Sequence, residues 1–259
     1  MSPRLKGALY LAPVIIGFFL GEIVCFILST ILATIAYYEL HKAFKMKNIF
    51  LSPVICPFMI LMSVFIKQMT DNTETICITA LAVAVILSYL GSNYTSPKML
   101  LIGMILMVPC AVYAYFPWFM FYLLSTLSSG AYLLAFVFVV SFATDIFAMI
   151  SGKKFGKHKL TKVSPNKTIE GSIGGFIGAT LCVIPFAFLL EIDMLTIICL
   201  GGLCSIAAQC GDLFASSIKR FCGIKDFSQL IPGHGGVLDR FDSVIFVIPI
   251  VFLATLLVL

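Results

Sequence analysis

Long apolar runs separated by short polar clusters dominate the chain. The first run, residues 7–38, has 32 residues and would form a helix about 48 Å long. That exceeds one crossing of a hydrocarbon core about 30 Å thick. The Gly21-Glu22 pair interrupts the run and predicts two short spans, with a basic loop at 41–47. Further spans are predicted at 49–66, 75–90, 99–115, 130–150, 171–190, 194–214 and 236–259. The stretch 116–127 is apolar but only 12 residues long, too short to cross. Its aromatics, with Tyr113, Tyr115, Phe116, Trp118, Phe119, Phe121 and Tyr122 crowded together, predict an interfacial belt. The pattern therefore predicts an all-α, polytopic membrane protein of about nine transmembrane helices. N-terminal helices would occupy 1–127 and a C-terminal membrane domain 128–259.

Composition agrees with the pattern and removes other classes. Of 259 residues, 61% are hydrophobic and only 11% charged, against about 45–50% and about 25% in soluble domains. Mean hydropathy is +1.10. A cytosolic globule, a disordered chain and a disulfide-stapled secreted domain are all excluded. The formal charge of +5 reads as the basic bias of cytoplasmic loops, not as a nucleic-acid footprint. On alternate loops, 16 of the 17 Lys and Arg residues fall on one side, and only Lys67 falls on the other. This asymmetry predicts a cytoplasmic basic face. The basic start, 1–7, precedes an apolar stretch without a small-residue cleavage site and reads as the first membrane anchor. The nine cysteines form no CxxC pair and read as small buried hydrophobes.

Polar residues are scarce in such a chain, and acids at membrane depth are costly and usually functional. Asp145, Glu170, Asp212, Asp226, Asp239 and Asp242 all fall in the second half, flanking two basic loops. In the first cluster, Asp145 is placed within the last two turns of a span, near the cytoplasmic face. The segment 164–171 reads Ser-Pro-Asn-Lys-Thr-Ile-Glu-Gly. Thr168 or Asn166 there can cap a helix that opens with Glu170, and Lys167 beside its start makes a phosphate seat. Gly171, Gly174, Gly175 and Gly178, at three- and four-residue spacing, read as close helix packing. Glycines of this kind are also compatible with a homodimer.

The second cluster, 209–242, is denser. Asp239 and Asp242 are three apart and share one face of a helix opening near Gly235. Asp212 is placed at the end of the preceding span, at the same depth. Converging carboxylates with oxygen-only neighbours suit Mg²⁺, which also favours substrate phosphates. Lys219, Arg220, Lys225 and Arg240 would neutralise those phosphates. His234, between glycines, reads equally as a turn residue or as a contact to phosphate or base. The whole is a phosphoryl-transfer site of the metal-plus-cation kind.

From Ser216 to Asp242 the chain reads S-x-I-K-R, four residues, K-D-x-S, two residues, then I-P-x-H-G-G-V-x-D-R-F-D. This resembles, without a gap, the signature of the CDP-diacylglycerol synthase (phosphatidate cytidylyltransferase) family. The segment 141–171 is similar to that family's D-x-x-A and S-P-x-K-T-x-E-G blocks. Met149, Asn166 and Ile169 stand where the family often has an aromatic, a lysine and an aromatic. The resemblance is strong over 140–242 and elsewhere rests on helical layout alone. It implies transfer of a cytidylyl group from CTP to phosphatidate, giving CDP-diacylglycerol and pyrophosphate. It further implies Mg²⁺ held by Asp212 and Asp239, with Asp145, Asp226 and Asp242 as secondary ligands or supports, and leaves room for a second, monovalent ion. Lys167, Lys219, Arg220, Lys225, His234 and Arg240 would bind phosphates; Lys167, Arg220 and Lys225 would serve catalysis together with the two aspartates. The setting would be a bacterial inner membrane with the site facing the cytoplasm. An ion-coupled transporter is the rival from another class, opposed by the acids lying near one face and by the lack of an inverted repeat. A CTP-using polyprenol or phytol kinase is a nearer rival.

Overall fold

The computed structural model describes residues 11–49, 51, 97–231, 233 and 235–257. Within them the regular secondary structure is helical, joined by turns and loops in which isolated bridges pair Lys159 with Thr168 and Ile231 with Gly235. A helical segment over 11–17 leads to a break at Gly21, whose φ of 128° suits a residue without a side chain. The predicted interruption of the first apolar run falls there. Helix α1 (Glu22–Lys45) follows. It buries Cys25, Ser29, Leu32, Ala36, Leu40 and Ala43 at helical spacing, while Ile23, Ile27, Ile31 and Tyr38 face outward. A helix apolar on both faces is one that meets lipid on the outside and protein on the inside.

The remaining elements are α2 (Pro97–Ser125), α3 (Gly130–Phe155), α4 (Ile169–Cys182), the one-turn α5 (Phe186–Leu189), α6 (Met194–Cys222) and α7 (Leu238–Leu257). Among the described residues, five helices are long and apolar enough to cross a membrane: α1, α3, α6, α7 and Leu101–Ser125 of α2. Two of the nine expected spans, 49–66 and 75–90, lie outside the described residues.

Several expectations are corrected. The stretch 171–190 is not one span. Helix α4 has 14 residues, about 21 Å, and Pro185 stands between it and α5. The aromatic stretch 116–127 is not a separate interfacial belt, because α2 runs through it as one helix. Trp118 and Phe121 are fully buried, and Trp118 packs edge-on against Phe241 at 5.2 Å while Phe18 meets Phe121 at 4.9 Å. Pro109 and Pro117 lie inside α2, as helix-breaking residues can in membrane helices. His41 to Lys45 are the last turns of α1 instead of a loop. Asp145 and Asp212 each lie ten residues before the end of their helices, not at span ends. Both helices continue as polar turns carrying Lys153, Lys154, Lys219 and Arg220.

Helix packing brings these elements to one end of the bundle. A Cβ on Gly171 or Gly175 would lie 2.8 Å from the carbonyl oxygen of Ala148 or Thr144, so α4 rests directly on the backbone of α3. A Cβ on Gly211 would lie 2.4 Å from the carbonyl oxygen of Asp242. The close approach of α6 to α7 at Gly211 sets Asp212 beside Asp242. One apolar core, from Phe18 to Val251, spans the N-terminal and C-terminal halves.

Candidate active site

The end of α3, the start of α4, the end of α6 and the start of α7 meet around the acids. Thr168 caps α4, its hydroxyl accepting from Gly171 N–H at 3.1 Å, as one of the two predicted caps. Glu170 in the first turn folds the preceding loop onto itself. It pairs with the His158 ring at 2.7 Å and accepts from Lys157 N–H at 3.1 Å and from His158 N–H. The His158 contact first, and then backbone N–H groups, hold the Glu170 carboxyl down at about 2. This loop presents Lys167, whose ammonium forms an ion pair with Asp212. Ser172 of α4 and Gln209 of α6 hydrogen-bond side chain to side chain, and Gln209 Nε2 also donates to the Ser172 carbonyl at 3.2 Å.

Two cavities border this arrangement. One, of about 550 Å³, is lined by polar groups of the loop and helices, among them Lys153, Ser164, Asn166, Lys167, Gln209 and Asp212. The other, of about 750 Å³, has Asp145, Asp212, Lys219, Asp226, Asp239, Arg240 and Asp242 along it. Its further lining is apolar, from Leu11, Ala12, Ile15, Phe142, Ile146 and Phe241. Asp145 and Asp212 line both cavities. All five predicted metal-ligand candidates thus border the larger cavity. Ser243 Oγ donates to Asp145 at 3.1 Å, tying α7 to α3.

Asp239 is the most engaged of them. Its Oδ1 accepts from Lys219 Nζ at 2.7 Å in a buried ion pair. Its Oδ2 accepts from Phe227 N–H at 2.8 Å and Gly236 N–H at 2.9 Å. Asp239 therefore organises the 227–238 loop as well as facing the cavity.

The predicted cations divide between places. Lys167, Lys219 and Arg240 border the cavities. Arg220 turns to backbone, its Nη1 donating to the Ile224 carbonyl at 3.2 Å and its Nε reaching toward the Val163 carbonyl at 3.5 Å. Lys225 lines a separate cavity with Lys42, Asp226 and Ser228. His234 lies outside the described residues.

The donor set can be tested for a metal. Among the described residues, no three Asp, Glu, His or Cys side chains converge into a ready-made cage. Mg²⁺ rarely uses such a cage; it takes one or two carboxylates and completes its shell with water and substrate phosphate. Asp145, Asp212 and Asp242, whose like charges act on one another, offer that pattern. The buried Tyr113 hydroxyl, which feels the charges of Asp212, Asp239 and Asp242, has no hydrogen-bond partner among the described residues. A buried orphan hydroxyl beside acids fits a site that is completed by something bound.

Sequence reasoning missed two contributors. Tyr113 reads in the sequence as one of a crowd of aromatics, and Glu39 stands between the apolar run 7–38 and the basic loop 41–47. Glu39 is buried and accepts hydrogen bonds from the 227–238 segment. Its sequence signal is an acid that directly follows an apolar run.

Fold and site define a polytopic helical membrane protein with a carboxylate-and-lysine centre between a polar cavity and a partly apolar one. The family model for the Cytidylyltransferase family matches residues 4–258, and the chain belongs to that family. It is 43% identical over 132 residues to a phosphatidate cytidylyltransferase of Staphylococcus haemolyticus, covering 50% of this chain and 51% of that protein. It is 43% identical over 135 residues to the protein of the same name in Staphylococcus aureus (strain COL), covering 51% and 52%. With that of Staphylococcus saprophyticus it shares 42% over 134 residues, covering 50% and 51%. The chain spans about half the length of the curated relatives it matches.

Proposed function

We propose that the chain is a phosphatidate cytidylyltransferase. An oxygen of the lipid phosphate attacks the α-phosphorus of CTP, the bond from that phosphorus to the bridging oxygen of the β-phosphate breaks, and pyrophosphate leaves. The products are CDP-diacylglycerol and pyrophosphate. The observation that carries the reading is the Asp145–Asp212 wall shared by two cavities of different character. The polar cavity suits the nucleotide and the cavity with the apolar lining suits a lipid, so the two reacting phosphates would meet at the wall.

The lipid phosphate is already an anion and requires no general base. The task of the protein is alignment and charge neutralisation. Lys167, at the wall and beside the start of α4, offsets charge on the phosphates. Lys219, through Asp239, and Arg240 hold positive charge near the lipid phosphate. Asp212, with Asp239 or with Asp145 and Asp242 as further candidates, would hold Mg²⁺, which would supply charge neutralisation at the α-phosphate and the leaving pyrophosphate. A second, monovalent ion has room in the larger cavity. CTP would arrive from the cytoplasm, consistent with the basic bias of the same loops, and the bacterial relatives favour an inner membrane. Nucleic acid has no part in this reading, and the chain works as a monomer or a homodimer.

The test uses purified protein in detergent with phosphatidate and CTP labelled at either the α- or the γ-phosphate. Phosphatidate-dependent, Mg²⁺-dependent appearance of α-label in the lipid, with γ-label in pyrophosphate, is expected. Movement of γ-label into a polyprenol or phytol, with none of the α-label in lipid, would replace the reading by a lipid kinase.

A further inference from the structure

Helix α7 opens with free backbone N–H groups, as every helix does. The usual remedy is a Ser, Thr, Asp or Asn just before the helix. Here the preceding residues are Gly235, Gly236 and Val237, none of which can supply it. The acceptor instead comes from α1, nearly two hundred residues away. Glu39 Oε1 accepts from Val237 N–H at 3.0 Å and from Ser228 Oγ at 2.6 Å, while Oε2 accepts from Leu238 N–H at 2.9 Å. Glu39 is 2% exposed and forms no ion pair among the described residues. Its charge is answered by hydrogen bonds and by the positive end of α7. Gly236 is part of the fit, since a Cβ there would come within 2.3 Å of Glu39 Oε1.

The next residue after Leu238 is Asp239, whose own carboxylate takes Phe227 N–H, Gly236 N–H and Lys219. Two carboxylates from opposite ends of the chain therefore hold one segment, 227–238, from both sides. We infer that Glu39 is a positioning residue for catalysis: from α1 it fixes the opening turn of α7, and so the placement of Asp239, Lys219 and Asp242 at the wall of the lipid-facing cavity. This rests on the cytidylyltransferase reading. Among the described residues, the polar cavity assigned to CTP draws no lining from 219–242 or from α1. Loss of Glu39 should thus disturb the reacting geometry and leave nucleotide binding largely alone.

The experiment compares full-length wild type with Glu39→Gln, Glu39→Ala and Ser228→Ala in detergent micelles. Glutamine retains one acceptor toward Ser228 and Val237 but sets an NH₂ against Leu238 N–H, and it loses the charge. Expected are a kcat at least tenfold lower for Glu39→Gln and lower again for Glu39→Ala, with KM for CTP within threefold of wild type. Ser228→Ala removes one of three hydrogen bonds and should lie between wild type and Glu39→Gln. A kcat within twofold of wild type for Glu39→Gln overturns the proposal, and so does a parallel rise in KM for CTP. Should Glu39→Ala fail to fold, Glu39→Gln and Ser228→Ala carry the comparison. Hydrogen exchange of the peptide covering 227–238 is read in the same preparations and needs no turnover. Faster exchange there in Glu39→Gln, with α3 and α4 unchanged, is expected, and unchanged protection overturns the proposal. A wild type that makes no CDP-lipid sinks the cytidylyltransferase reading, while the exchange measurement still judges Glu39.

Discussion

Lys167 and Lys162 belong to the same basic loop, yet only Lys167 reaches an acid, pairing with Asp212 at the wall of both cavities. The sequence distinguishes them only through the turn Ser164-Pro165 and the cap at Thr168. Lys167→Ala should lower kcat/KM at least a hundredfold, corresponding to about 3 kcal/mol for loss of one strong electrostatic contact to developing charge. Lys162→Ala should change it less than twofold, and Asp212→Asn should match Lys167→Ala while the protein stays folded. Equal small losses for both lysines, measured in mixed micelles, would reduce 164–171 to a structural turn. Other residues were legible in type but not in task. Arg220 and Lys225 carry the charge the signature suggests, but Arg220 uses its planar fork on backbone carbonyls, and Lys225 borders a different cavity. Which acceptor a long cation finds depends on tertiary placement that a linear pattern does not contain. Glu39 was hidden for a related reason. Besides the Ser228 hydroxyl, its partners are backbone N–H groups 198 and 199 positions away, which leave no mark in side-chain identities.

At the scale of elements, the glycines of α4 were readable because small residues at three- and four-residue spacing have one common use in a membrane, close helix approach. The extent of the helices was not. Apolar runs end where charge begins, but α3 and α6 continue through Lys153, Lys154, Lys219 and Arg220 as exposed polar turns, because hydrogen bonding inside the helix does not stop at the edge of the lipid. That continuation sinks Asp145 and Asp212 below the helix ends. The packing of α4 on α3 positions Asp145 directly, since Gly175 touches the carbonyl of Thr144, the residue before it. Gly175→Val would bring a side chain into space with 2.8 Å to that oxygen and 3.0 Å to Ala148 Cβ. Overpacking of this kind costs about 1–3 kcal/mol. The variant should melt earlier in detergent and lose activity even at temperatures where it remains folded. An unchanged melting temperature would show that α4 can shift away from α3 without loss.

For the whole molecule, the all-helical membrane architecture was legible from composition and run length alone, while the division of the first apolar run at Gly21 was legible from one glycine and one acid. The number of crossings was less so, since α4 and α5 share apolar composition with true spans but are broken at Pro185. The basic residues of 153–167 and 219–225 gather at the end of the bundle that carries the site. If that end faces the cytoplasm, an engineered cysteine replacing Lys154 or Lys225, in a background without accessible native cysteines, should resist an impermeant thiol reagent applied to intact cells and react after the cells are opened. Labelling from outside would reverse the orientation.

The depth of Asp145 and Asp212 has an electrical meaning. Ten residues of α3 and of α6 lie between these acids and the helix ends, about 15 Å of helix on the side of the open cavities. Beneath Asp145, α3 continues through Val140, Val137, Phe136 and Leu133, all buried against the other helices. If these cavities fill with water from the solution at that end, the potential of that solution reaches the acids, and the membrane voltage falls across the buried apolar part of the described helices. In the proposed reaction a polyanionic nucleotide would then enter, and pyrophosphate leave, without any charge moving through that voltage. The proposed reaction is then electrically silent, and its equilibrium is indifferent to whether the membrane is energised.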